Sequence, residues 1–127
     1  MFVLKIVTDF AAAHSLRDYP GNCSRLHGHN WGVEVKVQSE VLDETGIAID
    51  FREIKNQTKE VANRLDHFYL NDIKPFDEIN PTAENIAKYF FDELKKLINT
   101  DTVSVKEVTI WKPRDQPLPI RSNNERY

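Results

Sequence analysis

The chain has a single cysteine, Cys23, among its 127 residues, so no intrachain disulfide can form and the fold must hold by burial and hydrogen bonding. Glycine and proline are scarce, at four and six, which argues against linkers and low-complexity segments. No apolar run approaches the roughly 18 to 20 residues that cross a bilayer. The opening MFVLKIVTDF alternates instead of forming a solid apolar block followed by a cleavage site. A basic excess is missing too: 17 Lys and Arg against 20 Asp and Glu leave a net charge of −3, so neither nucleic acid nor a membrane is expected as a partner. These absences together predict a soluble cytoplasmic protein, in whose reducing surroundings the one thiol stays available for metal or chemistry.

What is present suffices for one domain over residues 1–127. Hydrophobic residues make up 40% and charged residues 29%, the balance of an ordinary globule. A chain of this length buries about two-thirds of its unfolded surface, so no metal is needed to hold it folded. Phe2, Leu4, Ile6 and Phe10 share one parity and predict a first strand over 2–10. Trp31, Val33, Val35, Val37 and Val41 predict a second, antiparallel to the first, with Glu34, Lys36, Gln38 and Glu40 on its wet face. Thr45-Gly46 turns the chain into a short extended piece at Ile47 and Ile49. Asp50, with Glu53 in capping-box spacing, opens a helix whose apolar face is Phe51, Ile54, Val61, Ala62 and Leu65. A second helix opens at NPTAEN, with Asn80 as cap and Pro81 at the first helical position, and carries the stripe Ala83, Ile86, Ala87, Phe90, Leu94, Leu97. A third strand covers 103–111, where apolar parity switches from Val103 and Val105 to Val108 and Ile110. A β-bulge near Lys106 or Glu107 accounts for the switch. A last edge strand is expected around 118–122. The order β-β-α-α-β-β predicts an α+β fold, an antiparallel sheet with two helices on one face.

The chemistry concentrates in CSRLHGHNW at 23–31, which holds the only cysteine and two of four histidines. If the second strand extends back through His27, then His27 and His29 project from one face, because side chains repeat every two residues. His14 stands at the end of the first strand, and an antiparallel return brings it beside them across the Ser15–Leu26 loop. Three imidazoles suit zinc and leave its fourth position open, the arrangement of a catalytic site. The alternative is a set of unrelated strand-end histidines, which an H-x-H pair alone does not exclude. Cys23 lies in the loop whose two ends carry these histidines; it is either a buried small hydrophobe or a thiol at the site. His67 follows Asp66 in LDHFYLN, where a carboxylate can orient an imidazole for proton transfer. A solvated loop histidine is the plainer reading.

Taken together, FAAAH at 10–14, CSRLHGHNW at 23–31, GIAIDF at 46–51, LDHFYLN at 65–71 and PTAEN at 81–85 resemble, in the same order, the blocks of the 6-pyruvoyltetrahydropterin synthase family. That family includes the 6-carboxytetrahydropterin synthase of queuosine biosynthesis. The resemblance implies a tunnelling fold, with ββααββ subunits forming a trimeric β-barrel, two trimers stacking into a homohexamer, and active sites between subunits. It implies that His14, His27 and His29 bind Zn²⁺, that Cys23 is a general base, and that His67 partnered by Asp66 handles the returning proton. The implied substrate is a reduced pterin, 7,8-dihydroneopterin triphosphate, and the implied activity is that of a zinc-dependent lyase giving a 6-carboxy product, or in the other branch a 6-pyruvoyl product. One residue departs from the pattern: where the family carries a glutamate that grips the donor edge of the pterin, this chain has Lys112. An ammonium has donors only. Either another acid, such as Glu107, takes that part, or the ligand differs, which leaves open another metal-assisted pterin or purine enzyme, or a non-catalytic homologue.

Overall fold

The computed structural model describes residues 1–18 and 27–113, apart from the side chain of residue 27. Cys23 and the edge strand expected at 118–122 lie outside the described residues. Alternation at the N-terminus becomes strand β1 (Phe2–His14), longer than its apolar pattern predicts because it continues through three alanines to His14. Ile6, Phe10, Ala12 and His14 are buried on one face, while Lys5, Val7 and Asp9 are exposed on the other. Strand β2 (His27–Ser39) returns antiparallel, with Phe10 opposite Trp31, Ala12 opposite His29 and His14 opposite His27. Val41 is not part of it. The Ser39 hydroxyl donates to the Val41 carbonyl at 2.9 Å and ends the strand in a turn.

No strand forms at Ile47–Ile49. The Asp43 carboxylate accepts from the Thr45 and Ile47 N–H groups at 2.8 and 3.0 Å, a local alternative to a ladder, and Gly46 supplies the left-handed φ of 85° that the turn requires. Helix α1 (Phe51–Asn63) starts where expected, Asp50 accepting from Arg52 N at 2.8 Å. The capping box does not form as drawn, since Glu53 accepts instead from Gln57 one turn on. Phe51 is also 56% exposed, because it precedes the turn at which Ile54, Thr58, Val61 and Ala62 enter the core. A short 3₁₀ turn (Leu70–Asp72) leads towards helix α2 (Ala83–Ile98). Its cap is Thr82, whose hydroxyl accepts from Asn85 N at 3.1 Å, and not Asn80, whose amide is engaged elsewhere.

Strand β3 (Val103–Trp111) pairs antiparallel with β2, giving the sheet order β1-β2-β3. The register slips at Lys36/Val37: Glu107 stands opposite Lys36 and Val105 opposite Val37, so Lys106 is the extra residue of the expected bulge. Val103 and Val105 face the core before it, Val108 and Ile110 after it. Trp111 therefore lies on the outer face over Gly32, where an added Cβ would meet the indole ring at 2.3 to 2.6 Å. Both helices cover the other face. Ile86, Phe90, Leu94 and Ile98 recur every fourth residue of α2, and Phe10 stacks on Trp31 and Phe90 at 6.3 and 5.7 Å between centroids. Removing either phenylalanine ring would cost about 3 to 5 kcal/mol. That core reaches to the last rung of β1 and β2, where the histidines begin.

Candidate active site

His14 is the last residue of β1 and is 1% exposed. Its Nδ1 donates to the Pro81 carbonyl at 2.8 Å, since a carbonyl can only accept. This fixes the tautomer and leaves the lone pair on Nε2. His29 stands two rungs back on the same face, its ring centroid 5.2 Å from that of His14 and nearly perpendicular to it. The Trp31 indole packs edge-on against both, at 5.0 and 5.6 Å. The Nε2 atoms of both histidines are inaccessible to solvent. Two adjacent imidazoles with buried Nε2 atoms, one held by a carbonyl behind it, are donors of the kind that zinc takes. In the ladder, residue 27 stands opposite His14 and two residues before His29. Among the described residues no three His, Cys, Asp or Glu side chains gather into a complete metal set.

Asp66 and His67 are fastened to the outer edge of β1 beside this pair. Asp66 Oδ1 accepts from Ala11 N at 2.8 Å, the His67 N–H donates to the Ala11 carbonyl, and Ala13 N donates to the Phe68 carbonyl at 3.0 Å. Tyr69 then bridges to Ala13 in parallel sense. The second oxygen of Asp66 meets His67 Nδ1 at 3.0 Å. One carboxylate thus both anchors the segment and orients the imidazole. His67 adopts φ 64°, a conformation that costs a non-glycine residue on the order of 1 to 3 kcal/mol and persists only where surrounding bonds enforce it. Its side chain is 82% exposed. A groove of about 400 Å³ runs between the two parts of the site, lined by Ala12, Gly28 and His29 on one side and by His67 and Tyr69 on the other. His29 and His67 are therefore brought to one cavity.

Lys112 follows Val108 and Ile110 in phase and holds its Nζ 5.3 Å from the Trp31 ring centroid, a cation–π contact. The lysine thus stands over the same indole that packs on His14 and His29. Glu107 does not share that face. It is paired across the sheet with Lys36, 3.9 Å away, among residues that alternate with the buried valines of β2. The parity change at the bulge thus removes Glu107 as a substitute acid and puts Lys112 in its stead.

A three-stranded antiparallel sheet backed by two helices, with histidines on the last rungs of a hairpin, has the architecture of the tunnelling-fold enzymes. A family model described as 6-pyruvoyl tetrahydropterin synthase matches residues 4–121, and the chain belongs to that family. It is 39% identical over 101 residues to the 6-carboxy-5,6,7,8-tetrahydropterin synthase of Synechocystis sp., an alignment covering 76% of this chain and 77% of the relative. It is 34% identical over 102 residues to the dihydroneopterin monophosphate aldolase of Pyrococcus furiosus, covering 80% and 82%. Among solved structures, the 6-pyruvoyl tetrahydropterin synthase of Caenorhabditis elegans superposes with a TM-score of 0.69 at 26% identity, over 87% of this chain and 94% of that one. No described helix is long and apolar enough to cross a membrane.

Asn71, Asn80 and Pro81 hold the loops of this site, and the sequence marked none of them as a site residue. The only signal was their membership of LDHFYLN and NPTAEN, where Asn80 reads as a helix cap.

Proposed function

We propose that the protein is a zinc-dependent lyase acting on 7,8-dihydroneopterin triphosphate, of the 6-carboxy-5,6,7,8-tetrahydropterin synthase type. His14, His27 and His29 would hold the metal. The observation that carries this reading is the pair His14 and His29, with the tautomer of His14 set by Pro81. Bound there, Zn²⁺ supplies Lewis-acid polarisation of the substrate's side-chain oxygens. Cys23, as thiolate, removes a proton from a side-chain carbon, and His67, oriented by Asp66, returns a proton to the substrate. The end of β2 and the 66–69 segment bring His29 and His67 to one groove, which supports a proton transfer beside the metal. The exposure of His67 in a single subunit fits a groove completed by a second copy, in the trimer or hexamer expected of the fold.

Lys112 supports a second reading. The relative named as an aldolase acting on dihydroneopterin monophosphate belongs to the same set, and an ammonium over Trp31 cannot accept from the donor edge of a pterin. A reaction that cleaves the same side chain on a differently held substrate would use the same histidines. Incubating zinc-loaded protein with dihydroneopterin triphosphate and, separately, with the monophosphate, and weighing the products, separates these readings. Acetaldehyde with the 6-carboxy compound supports the main reading, a pyruvoyl product indicates the other branch, and turnover of the monophosphate alone supports the aldolase. His29→Ala should abolish turnover and most zinc binding. Full zinc occupancy in that variant would rule out the assigned ligands.

A further inference from the structure

Two asparagine side chains treat the backbone just beyond His14 as a neighbouring strand would. Asn71 accepts from Ser15 N through Oδ1 at 3.0 Å and donates from Nδ2 to the Ser15 carbonyl at 2.8 Å. Asn80 does the same for Arg17, at 2.9 Å in both directions. Each carboxamide thereby satisfies both backbone groups of one residue, and the two residues served alternate along the chain as ladder residues do. The Arg17 guanidinium reaches back over the same loop, donating to the Phe76 carbonyl at 2.7 Å and the Ile79 carbonyl at 3.3 Å. Asn85 Nδ2, in the first turn of α2, donates to the Asn80 carbonyl at 2.8 Å.

The residue between Asn80 and the helix cap is Pro81, whose carbonyl receives His14 Nδ1. Three consecutive positions thus have separate duties: Asn80 grips the chain leaving β1, Pro81 holds the imidazole, and Thr82 starts α2. His14 and its orienting carbonyl are 67 positions apart in sequence, and the two asparagines clamp the chain one and three residues past His14.

We propose that Asn71 and Asn80 are positioning residues for the metal ligand His14. By fastening Ser15 and Arg17 to the 71–82 segment, they keep the Pro81 carbonyl at bonding distance from Nδ1, and so keep the acceptor lone pair on Nε2. This rests on the reading of His14 as a zinc ligand. The role needs a donor as well as an acceptor at each side chain. Aspartate, the same size, offers acceptors only, and would set a charged oxygen against the Ser15 or Arg17 carbonyl.

The test is chelator competition for zinc by the full chain and by Asn71→Asp and Asn80→Asp, with the ligand-field spectrum of the cobalt-loaded forms beside it. Zinc affinity should fall about 10- to 100-fold in each variant, the range for losing a group that orients a ligand, and the cobalt bands should shift. Asn80→Ala, which removes both donor and acceptor without adding charge, carries the same expectation if an aspartate variant does not fold. Wild-type affinity and an unaltered cobalt spectrum in folded variants would overturn the positioning role alone. Absence of zinc binding by the unmodified protein would overturn the metal reading, and this inference with it.

Discussion

The two sides of the groove are held by different means. On one side His14 and His29 ride on the β1–β2 ladder, and their place follows from strand parity and a register shared by thirteen paired rungs. On the other, residues 66–82 contain no long regular element, and their placement depends on single polar groups such as Asp66, Asn71, Asn80 and the Pro81 carbonyl. A ladder spreads its positional information over many bonds, so a change at one rung is absorbed by the rest. A loop clamped by individual side chains concentrates it, and a change at one of them shifts the group it serves. The first kind of order suits ligands that must not move. The second sets what the ladder leaves free, the tautomer of His14 through the Pro81 carbonyl and the orientation of His67 through Asp66.

That contrast can be broken most sharply at Cys23, which belongs in sequence to the connection between the two strands of the ladder. Cys23→Ala should keep zinc while turnover drops about 10²- to 10⁴-fold, as measured by steady-state kinetics beside metal analysis. Zinc loss in that variant would make the thiol a ligand and move it to the ladder's side of the comparison. A smaller effect is expected at Lys112, the residue that β3 delivers over Trp31. If the donor edge of a pterin meets this lysine, the unpaired donors cost about 1 to 3 kcal/mol, and Lys112→Glu should tighten binding of a reduced pterin by about one to two powers of ten. Titration of both proteins reads it, and weaker binding by the glutamate variant would mean that another group already holds that edge.

The smallest effect lies away from the groove, where Arg64, the residue after α1, meets Glu93 of α2 at 2.7 Å. Hydrogen bonds from Lys96 and then Arg64 hold the Glu93 carboxyl below the usual glutamate range. A depressed carboxyl stabilises the fold above its unfolded pKa and loses that contribution as pH falls through the folded value. Glu93→Gln should therefore cost no more than about 1 kcal/mol at neutral pH, the ordinary limit for exposed pairs. Its denaturation midpoint should converge on that of the unmodified protein in acid. A difference independent of pH would place the effect in packing between the helices.

The strands were legible because each writes its own alternation, and even the bulge at Lys106 showed as a change of parity between Val105 and Val108. The ends of elements were less so. Val41 continues the alternation of β2, yet the Ser39 hydroxyl turns the chain first. Asn80 has the composition of a cap, and only the fold reveals that its amide is used by Arg17, 63 positions away. The histidines at 14 and 29 could be paired from register alone, whereas Pro81 as the partner of His14 could not, because a backbone carbonyl leaves no mark on residue type. Asp66 and His67 were visible as neighbours, but residue type does not say that the Asp66 carboxylate and the His67 N–H are both bonded to the backbone of Ala11.

The extra residue in β3 works as a shift of reading frame. A strand assigns its residues alternately to two compartments, here the helix-covered interior and the open face, and Lys106 is counted by neither. Everything after it is read in the other frame, so that Ile110 and Lys112 go inward and Trp111 goes out over Gly32. A regular strand of the same sequence, with Lys106 paired in the ladder, would instead turn Lys112 to the outer face and drive Trp111 towards the core. Whether Lys106 bulges or pairs thus decides which residue of β3 stands over Trp31, even where every side chain around the groove is left untouched.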